Sequence, residues 1–290
     1  MQRVSEGLKG KAKCKYYYSY WGFDLAEFRR KQRFLTAILL IPLVFCGIYY
    51  ANDPVLVGII GLLVVALAWE WSALIPLSMV MWKALFLGVL VLGIWPLYAF
   101  LMPSLVLNIG LWLGILWAVV TYPKTRPIWG HAWLMALVAW FSLNLFAHCL
   151  WALFHHEQGR WLLVYLLGLV WATDIGAYMF GKLWGKHRLI PQVSPGKTLE
   201  GSAGGIVVAS AVAALGAWYF QPPNLSAWFV QAWIVIGFAM LGDLWISMLK
   251  RRVQLKDTGH ILPGHGGVLD RLDSLVASLP IFYYLTLSYS

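Results

Sequence analysis

The segment SMLKRRVQLKDTGHILPGHGGVLDRLDS, residues 247–274, decides how the last part of the chain folds, because it is the only long polar stretch there between apolar runs. It contains five lysines and arginines, three aspartates, two histidines and the glycine cluster PGHGG. Glycine lets the backbone bend tightly and approach a ligand without interference from a side chain. The segment is therefore expected to form a polar turn between two apolar helices, with room for a ligand.

Polar side chains on both sides of this turn recur at helical spacing. The helix before the turn carries three of them on one face, at intervals of four and three residues: Asp243, Ser247 and Lys250. The helix after the turn opens with a second set: Asp270, Asp273 and Ser274. Carboxylates on two helix ends, facing cations across a glycine loop, are suited to holding a metal ion and the polyphosphate that it neutralises. A basic loop that only fixes membrane topology would explain the cations but not the aspartates or PGHGG.

The composition excludes a soluble globular protein. Of 290 residues, 61% are hydrophobic and only 12% are charged, and the mean hydropathy is +0.71. A soluble domain cannot bury so much apolar surface, so the sequence predicts a polytopic membrane protein. The three cysteines (Cys14, Cys46 and Cys149) are scattered and support neither a disulfide framework nor a zinc site.

Apolar runs separated by proline, glycine and short polar loops predict the fold class. We expect an all-α polytopic integral membrane protein with about nine transmembrane helices and a cytoplasm-facing polar active-site funnel. The expected spans are 34–51, 54–76, 82–102, 104–121, 131–154, 161–182, 203–220, 227–248 and 272–288. The third and fourth spans are the least distinct, because only the tripeptide MPS separates them.

The positions of the basic residues predict the orientation. With a cytoplasmic N-terminus and nine crossings, every one of the 22 lysines and arginines except Arg160 lies in the cytoplasm. Adding or losing one early helix would move the basic N-terminal residues to the wrong side, so the positive-inside rule supports this count. We therefore expect an integral protein of the cytoplasmic (inner) membrane, with its N-terminus and its active site in the cytoplasm.

The N-terminal tail, residues 1–33, differs in kind from the rest of the chain. It is basic and aromatic and lacks the apolar core of a signal peptide. Two interpretations stay open: a cytoplasmic tail that lies against anionic headgroups, or an artefact of an upstream start site. The expected organisation is this tail followed by one membrane-embedded domain, residues 34–290.

The pattern S-x2-K-R-x4-K-D-x-G-x3-P-G-H-G-G-x2-D-R-x-D resembles the signature of the phosphatidate cytidylyltransferase (CDP-diacylglycerol synthase) family. The matching residues are Ser247, Lys250, Arg251, Lys256, Asp257, Gly259, Pro263, Gly264, His265, Gly266, Gly267, Asp270, Arg271 and Asp273. A match of this length and spacing is specific, and the resemblance covers about residues 31–290. It implies a nucleotidyltransferase that converts CTP and phosphatidate into CDP-diacylglycerol and pyrophosphate in phospholipid biosynthesis, with Mg²⁺ as cofactor.

The resemblance also implies roles for individual residues. The catalytic residues would be Asp243, Lys250 and Asp270, and the metal ligands Asp243, Asp270 and Asp273. The substrate-binding residues would be Ser194, Lys197, Glu200, Ser247, Arg251, Lys256, His265 and Arg271. The residue chemistry agrees, since an ionised lipid phosphate can attack without a Ser/His-type nucleophile and needs mainly neutralisation of charge.

A second motif, SPGKTLEG at residues 194–201, is similar to the S-P-x-K-T-x-E-G element of the same family. Its PGKT core also suggests a nucleotide P-loop. However, Pro191 stands where the first glycine of that motif is needed, and the sequence predicts no preceding strand. Gly196 occupies a position where lysine is common in the family, which removes one phosphate contact.

Two further acids lie in apolar surroundings. Asp174 shares a helix face with Tyr178 and Gly181, in a stretch that resembles the family's D-x-x-A-Y-x-x-G segment. It faces a polar interior or makes a helix–helix hydrogen bond, and the sequence leaves both open. Glu70 lies between two tryptophans, where it either borders the site or sits at the cytoplasmic interface.

Other functions account for less of the sequence. A transporter for an anionic solute or lipid would explain intramembrane acids and basic loops, but not the concentration of polar chemistry at one rim. A CDP-alcohol phosphotransferase would need a D-G-x2-A-R core, which is not found here. The expected partners are CTP, phosphatidate and the lipid bilayer, with no nucleic acid. Whether the protein forms a homo-oligomer stays open.

Overall fold

The computed structural model of the protein describes residues 25–75, 80–261 and 266–287. In these ranges the chain forms mainly helices, together with two short strands. The elements are α1 (Leu25–Tyr50), α2 (Asp53–Leu74), α3 (Val80–Ala99), α4 (Leu101–Val120), α5 (Arg126–Trp129), α6 (Ala132–Phe154), α7 (Gly159–Trp184), β1 (Arg188–Ile190), β2 (Ser194–Thr198), α8 (Leu199–Phe220), α9 (Leu225–Arg252) and α10 (Leu269–Leu287).

The helical class predicted from the sequence is confirmed. Each of the nine expected spans corresponds to a long helix in the described residues, and α3 and α4 are separate helices with only Phe100 between them. Within the described residues, six helices are long and apolar enough to cross a membrane: α2, α4, α6, α7, α8 and α9. The described apolar parts of α1 and α3 are shorter, and α10 carries three charged residues in its first two turns. The nine crossings therefore stay a prediction.

Side-chain caps explain where three of the helices begin. The Asn52 side chain accepts a hydrogen bond from the Val55 backbone, and Asn224 accepts one from Ala227 in the same way. At α8 the Thr198 hydroxyl accepts from the Gly201 amide at 3.0 Å. Each cap satisfies one of the backbone donors that the first turn of a helix leaves without a partner. Because of its cap, α8 begins four residues before the expected span.

Glycines allow the helices around the polar end to pack closely. A side chain at Gly176 of α7 would collide with the backbone of α8, and one at Gly205 of α8 would collide with the backbone of α7. A side chain at Gly242 of α9 would collide with the carbonyl oxygen of Asp273 in α10. Small residues at helix contacts let backbones approach in this way in membrane proteins. The result is that α7, α8, α9 and α10 meet tightly where their polar residues lie.

Helix α6 forms the centre of the packed core. It is the most buried of the six candidate spans and contacts α2, α3, α4, α7 and α10. Its fully buried residues include Leu143, Leu145 and Phe146. The helices around it expose many large apolar side chains on their outer faces, which is the expected surface for contact with lipid.

The connections between helices gather at two ends of the bundle. At one end, the Arg160 guanidinium donates to the carbonyl oxygen of Tyr49 at 2.6 Å, and His155 lies 3.2 Å from Asp53. At the other end lie the two strands, the C-terminal end of α9 and the start of α10. This second end carries the polar residues singled out in the sequence.

Residues 188–198 form a short antiparallel hairpin, where the sequence predicted only a loop in an all-α protein. Arg188 pairs with Thr198 and Ile190 pairs with Ser194, so the SPGKT segment folds back on β1. Val193 at the turn is fully buried, and its carbonyl oxygen accepts a hydrogen bond from Arg251 of α9 at 3.2 Å. Burial of Val193 and the arginine contact fix the hairpin against α9.

Candidate active site at the polar rim

Six residues at one end of the bundle form what we call the polar rim. They are Lys197 of β2, Asp243, Ser247 and Lys250 of α9, and Asp270 and Asp273 of α10. Helical spacing places the three α9 residues on one face, as the sequence predicted. The hairpin brings Lys197 to this face, and the close contact of α9 with α10 brings the two aspartates.

The first ion pair of the rim joins Lys197 to Asp243. The lysine Nζ lies 2.5 Å from Asp243 Oδ2, and the Ser247 hydroxyl donates to Asp243 Oδ1 at 3.2 Å. Both charged side chains are partly open, with exposed fractions of 27% and 29%. This pair is accessible to a ligand that could separate it.

The second ion pair joins Lys250 to Asp270 and is more deeply placed. The lysine Nζ lies 2.6 Å from Asp270 Oδ1, with side-chain exposures of 14% and 8%. The other oxygen of Asp270 accepts hydrogen bonds from the backbone amides of Thr258 at 2.8 Å and Gly267 at 3.2 Å. Asp270 therefore both neutralises Lys250 and holds the loop that connects α9 to α10.

Glu70 of α2 also holds this loop. This acid is only 2% exposed, and its carboxylate accepts from the Thr258 hydroxyl at 2.9 Å and from the amides of Val268 and Leu269 at 3.0 and 2.8 Å. A buried carboxylate with several hydrogen bonds near a helix N-terminus is well stabilised. The glycine at position 267 packs against it and leaves no space for a side chain. The sequence left two interpretations of Glu70 open, and these contacts favour the one in which Glu70 borders the site.

Two further aspartates lie around the first ion pair. Asp273 is buried, accepts a hydrogen bond from the Ser274 amide at 2.7 Å, and lies within electrostatic range of Asp243 and Lys197. Asp174 of α7 is exposed and lies within electrostatic range of Asp243, Lys197 and Arg271. Asp174 thus faces the polar rim, which was one of the two interpretations of its position.

The remaining sequence-predicted residues that the structure describes lie in the hairpin, hold it in place, or have exposed side chains. Glu200 accepts from the His187 ring at 2.6 Å and from the Lys186 amide at 3.1 Å, which ties α8 to the chain before the hairpin. Ser194 lies in the hairpin, and Arg251 holds its turn. The side chains of Lys256 and Arg271 are exposed, and His265 lies outside the described residues.

The structure adds residues that sequence reasoning missed. Thr258 connects Glu70 to Asp270, since its hydroxyl donates to one carboxylate and its amide to the other. His187 pairs with Glu200. Thr258 falls on a position that the motif leaves unspecified, so the sequence carried no signal for it. Glu70 did carry one, because a carboxylate in an apolar helix needs a partner.

The donor set at the rim fits a hard cation that arrives with its own ligands. Among the residues that the structure describes, no group of three or more Asp, Glu, His or Cys side chains is placed to hold a metal ion. In particular, Asp243 and Asp270 are each paired with a lysine. Mg²⁺ usually binds one or two carboxylates and completes its shell with water and substrate phosphates. Two carboxylates with lysines beside them suit such a Mg²⁺–polyphosphate complex.

The arrangement can therefore bind both parts of a metal–phosphate ligand. A cation arriving at Asp243 and Asp270 would free Lys197 and Lys250, and the ammonium groups could then contact phosphate oxygens. Lysine donates three rotatable hydrogen bonds, so it can change partners without moving the backbone. The site is suited to the electrostatic stabilisation of a phosphoryl or nucleotidyl transfer.

Comparisons with known proteins agree with this chemistry. The model of the cytidylyltransferase family matches residues 31–289. The chain is 33% identical over 280 residues to the phosphatidate cytidylyltransferase of Haemophilus influenzae, covering 88% of this chain and 97% of that protein. It is 35% identical over 264 residues to that of Pseudomonas aeruginosa, with 87% and 95% covered. A similar protein of Bacillus subtilis with the same name is 42% identical over 135 residues, which is 46% of this chain and 50% of that one.

Proposed function

The chain belongs to the cytidylyltransferase family, and we infer from this premise that it is a phosphatidate cytidylyltransferase. The enzyme joins CTP and phosphatidate into CDP-diacylglycerol and releases pyrophosphate. The observation that carries the inference is the match to two phosphatidate cytidylyltransferases over nearly their whole length. The two lysine–aspartate pairs of the polar rim support it, because they supply the charges that this reaction needs.

The reaction needs no protein nucleophile. A phosphate oxygen of phosphatidate forms a bond to the α-phosphorus of CTP, and the bond from that phosphorus to the oxygen of the β-phosphate breaks. The electron pair leaves with pyrophosphate. Both reactants are anions, so the protein must neutralise their repulsion and the charge of the leaving group.

We propose that Asp243 and Asp270 bind Mg²⁺ and that Asp273 supports them. When bound, the ion neutralises the CTP phosphates and positions them for in-line attack. Lys250 contacts the transferring phosphorus group, and Lys197 contacts the phosphates of CTP. Asp270 would hold the ion together with Asp243, and the two backbone hydrogen bonds that Asp270 accepts keep the loop in place.

The other predicted residues have supporting roles in this proposal. The exposed side chains of Lys256 and Arg271 provide positive charge for the phosphates of the two substrates. Ser247 orients Asp243 through its hydroxyl. Arg251, Ser194 and Glu200 act on the substrate indirectly, since their contacts hold the hairpin that carries Lys197. His265, in PGHGG, is assigned to the substrate from the sequence alone.

The proposed topology has nine crossings in the inner membrane, with the polar rim at the cytoplasmic end. The support comes from the placement of the connections. Residues near Arg160 gather at one end of the bundle, and the segments with the other described loop cations gather around the opposite end. CTP then reaches the rim from the cytosol, and phosphatidate enters from the inner leaflet.

A purified-protein assay tests the function. We expect pyrophosphate and CDP-diacylglycerol in equal amounts from CTP, phosphatidate and Mg²⁺, and none after addition of EDTA. ATP in place of CTP serves as the control for base selectivity. A protein that moved phosphatidate across liposome membranes without forming pyrophosphate would instead be a transporter, and the assignment would be wrong.

A further inference from the structure

An apolar groove lies on the exposed face of α4, away from the polar rim. We call it the α4 groove; it has a volume of about 270 Å³ and is lined only by apolar residues. Its walls come from α4, α5, α6 and α9, and the residues used below are Gly110, Gly114, Trp117, Trp129, Met135 and Trp245. This volume is just below the roughly 300–1,000 Å³ typical of small-molecule sites, so the groove fits a segment of a ligand.

The groove is open along α4 because two glycines form part of its wall. A side chain built at Gly110 or at Gly114 would meet no atom within 4 Å, and both residues are exposed. Trp117, farther along α4, is 48% exposed. An open apolar groove on a membrane-facing helix is accessible to an acyl chain of the bilayer.

Two arginines lie at the α5 end of the groove. The Arg252 guanidinium donates to the Met135 sulfur, which lines the groove, and to the Gly130 carbonyl oxygen. Arg126 begins α5 and lies within electrostatic range of Arg252. In the described part of the chain, neither arginine has a carboxylate within 4.0 Å. Two neighbouring cations without an acidic partner form a favourable site for an anion.

The groove is separate from the polar rim. Along α9, Trp245 and Arg252 are seven residues apart and so share one helix face. Asp243 and Lys250, also seven residues apart, lie on nearly the opposite face, since two residues correspond to about 200° of rotation. A molecule in the groove is therefore on the far side of α9 from the two ion pairs.

We propose that the α4 groove is a binding site for an anionic membrane phospholipid that is not the substrate. One acyl chain lies in the groove against Gly110 and Gly114, and the lipid phosphate lies at Arg126 and Arg252. The apolar wall lies next to two cations that have no carboxylate partner among the described residues, just as the acyl chain and the phosphate of such a lipid lie next to each other. The bound lipid would tie α4 and α5 to the C-terminal end of α9.

A helix of a second copy is the other possible occupant, because Gly110 and Gly114 have the spacing of a G-x3-G helix contact. The arginines argue against it. A symmetric pair of copies meeting here would bring the same cations of both chains together, and like charges repel. A phosphate at the same place removes the repulsion, so the charge at the groove favours the lipid.

Native mass spectrometry of the purified full chain tests the proposal. Dioleoyl phosphatidylglycerol is the probe, and dioleoyl phosphatidylcholine is the neutral lipid with the same chains. We expect one phosphatidylglycerol to be retained where phosphatidylcholine is not. Arg126→Gln should weaken retention about fivefold, the size expected for one basic residue at a membrane surface. Gly114→Leu should fill the groove and abolish retention.

Two variants are matched controls. Lys83→Gln removes a cation outside the groove, and Gly237→Leu adds the same side chain at another glycine with open space around it. Both should retain the lipid as the unmodified protein does. If Gly114→Leu does not elute as a folded protein, Gly110→Leu tests the same wall.

Four results would overturn the proposal. Full retention by the Arg126 and Gly114 variants would show that the lipid binds elsewhere, and equal loss in all four variants would show a nonspecific lipid shell. Retention of phosphatidate but not of phosphatidylglycerol would assign the groove to the substrate. A dimer that Gly114→Leu dissociates in lipid-free detergent would make the groove a contact between copies.

Discussion

The two lysine–aspartate pairs of the polar rim contain the same chemical groups, but the protein holds them very differently. Lys197 and Asp243 are more than a quarter exposed, and the lysine comes from a short hairpin at the edge of the bundle. Lys250 and Asp270 are largely buried between α9 and α10. The free energy needed to separate a buried pair is much larger than that for an exposed pair.

This difference assigns different tasks to the two pairs. Asp270 keeps two backbone hydrogen bonds besides its lysine, and Glu70 holds the same loop through Thr258. The Lys250–Asp270 pair, which we call the inner pair, therefore fixes the geometry of the loop as well as providing charge. In the Lys197–Asp243 pair, which we call the outer pair, Ser247 is the one further hydrogen-bond partner of Asp243 among the described residues, so this pair can open when a ligand arrives. The inner pair is suited to the chemical step and the outer pair to substrate entry.

The largest expected effect comes from removing either carboxylate. Asp243→Ala and Asp270→Ala should each abolish turnover, because both are proposed ligands of Mg²⁺. Their effects on stability should differ. Loss of Asp270 leaves Lys250 buried without a partner, which costs about 3–5 kcal/mol, whereas loss of Asp243 breaks an exposed pair worth about 1 kcal/mol or less.

Thermal unfolding in detergent, with the pyrophosphate assay on the same samples, measures both effects. The midpoint should fall clearly for Asp270→Ala and little for Asp243→Ala. Near-normal turnover by either variant would contradict the metal assignment. Equal midpoints would contradict the contrast between the two pairs.

Lys250→Ala should have the next largest effect. If the ammonium stabilises the transferring phosphorus group mainly in the transition state, kcat and kcat/KM should fall together, by about 10²–10³-fold. Lys250→Arg should restore little, because the planar guanidinium is larger and cannot occupy the same point beside Asp270. Turnover per correctly inserted molecule is the quantity to measure.

The alternative role of Lys250 is to anchor α9 at the lipid headgroups. In that case arginine would replace it without loss, and alanine would reduce insertion rather than turnover. Full activity of Lys250→Arg would therefore defeat the catalytic interpretation.

Glu70→Gln tests how far the inner pair depends on the loop. Glutamine keeps the size of the side chain, but it replaces one acceptor oxygen with a donor that faces backbone amides or the Thr258 hydroxyl. An unsatisfied buried donor costs about 1–3 kcal/mol, so the unfolding midpoint should fall. We expect kcat to fall as well, with little change in the KM for CTP, because the loop positions Asp270.

Glu157→Gln, at an exposed acid on the opposite end of the bundle, is the matched control and should change neither quantity. A Glu70→Gln variant with a lower midpoint but an unchanged kcat would limit Glu70 to a structural role.

Much of this architecture could be predicted from local sequence. Apolar runs gave the positions of the long helices to within a few residues in most cases, because hydropathy is a local property. The shared face of Asp243, Ser247 and Lys250 followed from helical periodicity in the same way. The assignment of these residues to a nucleotidyltransferase came from the resemblance to a family, which periodicity cannot supply.

The partners of the charged residues could not be predicted, since they depend on how distant helices pack. Nothing in the spacing indicates that Lys197 pairs with Asp243, 46 residues later. Nor does it indicate that Glu70 accepts hydrogen bonds from the backbone amides of Val268 and Leu269. The hairpin was also missed, because the SPGKT segment contains proline and glycine, which normally argue against a strand. Burial of Val193 and its contact with Arg251 override that preference.

The smallest expected effect is that of Lys197→Ala, which removes the cation of the outer pair. The lysine is partly exposed, and contacts between exposed charges contribute only about 0.2–1 kcal/mol, so the KM for CTP should rise about two- to fivefold with kcat nearly unchanged. The KM for phosphatidate should change less, because the hairpin lies at the cytosolic end, where the soluble substrate arrives. Initial rates at varied CTP and fixed phosphatidate, and the reverse, separate the two constants.

Lys186→Ala is the control, because this exposed lysine precedes the same hairpin but lies outside the rim. If it raised the KM for CTP as much as Lys197→Ala, general positive charge at the hairpin would explain the effect, and the contact between Lys197 and CTP would not be needed. An unchanged CTP dependence with a weakened phosphatidate dependence would reverse the assignment and make the outer pair the lipid entrance. A fall in kcat as large as that of Lys250→Ala would remove the distinction between the pairs, because Lys197 would then act in the chemical step despite its exposed position.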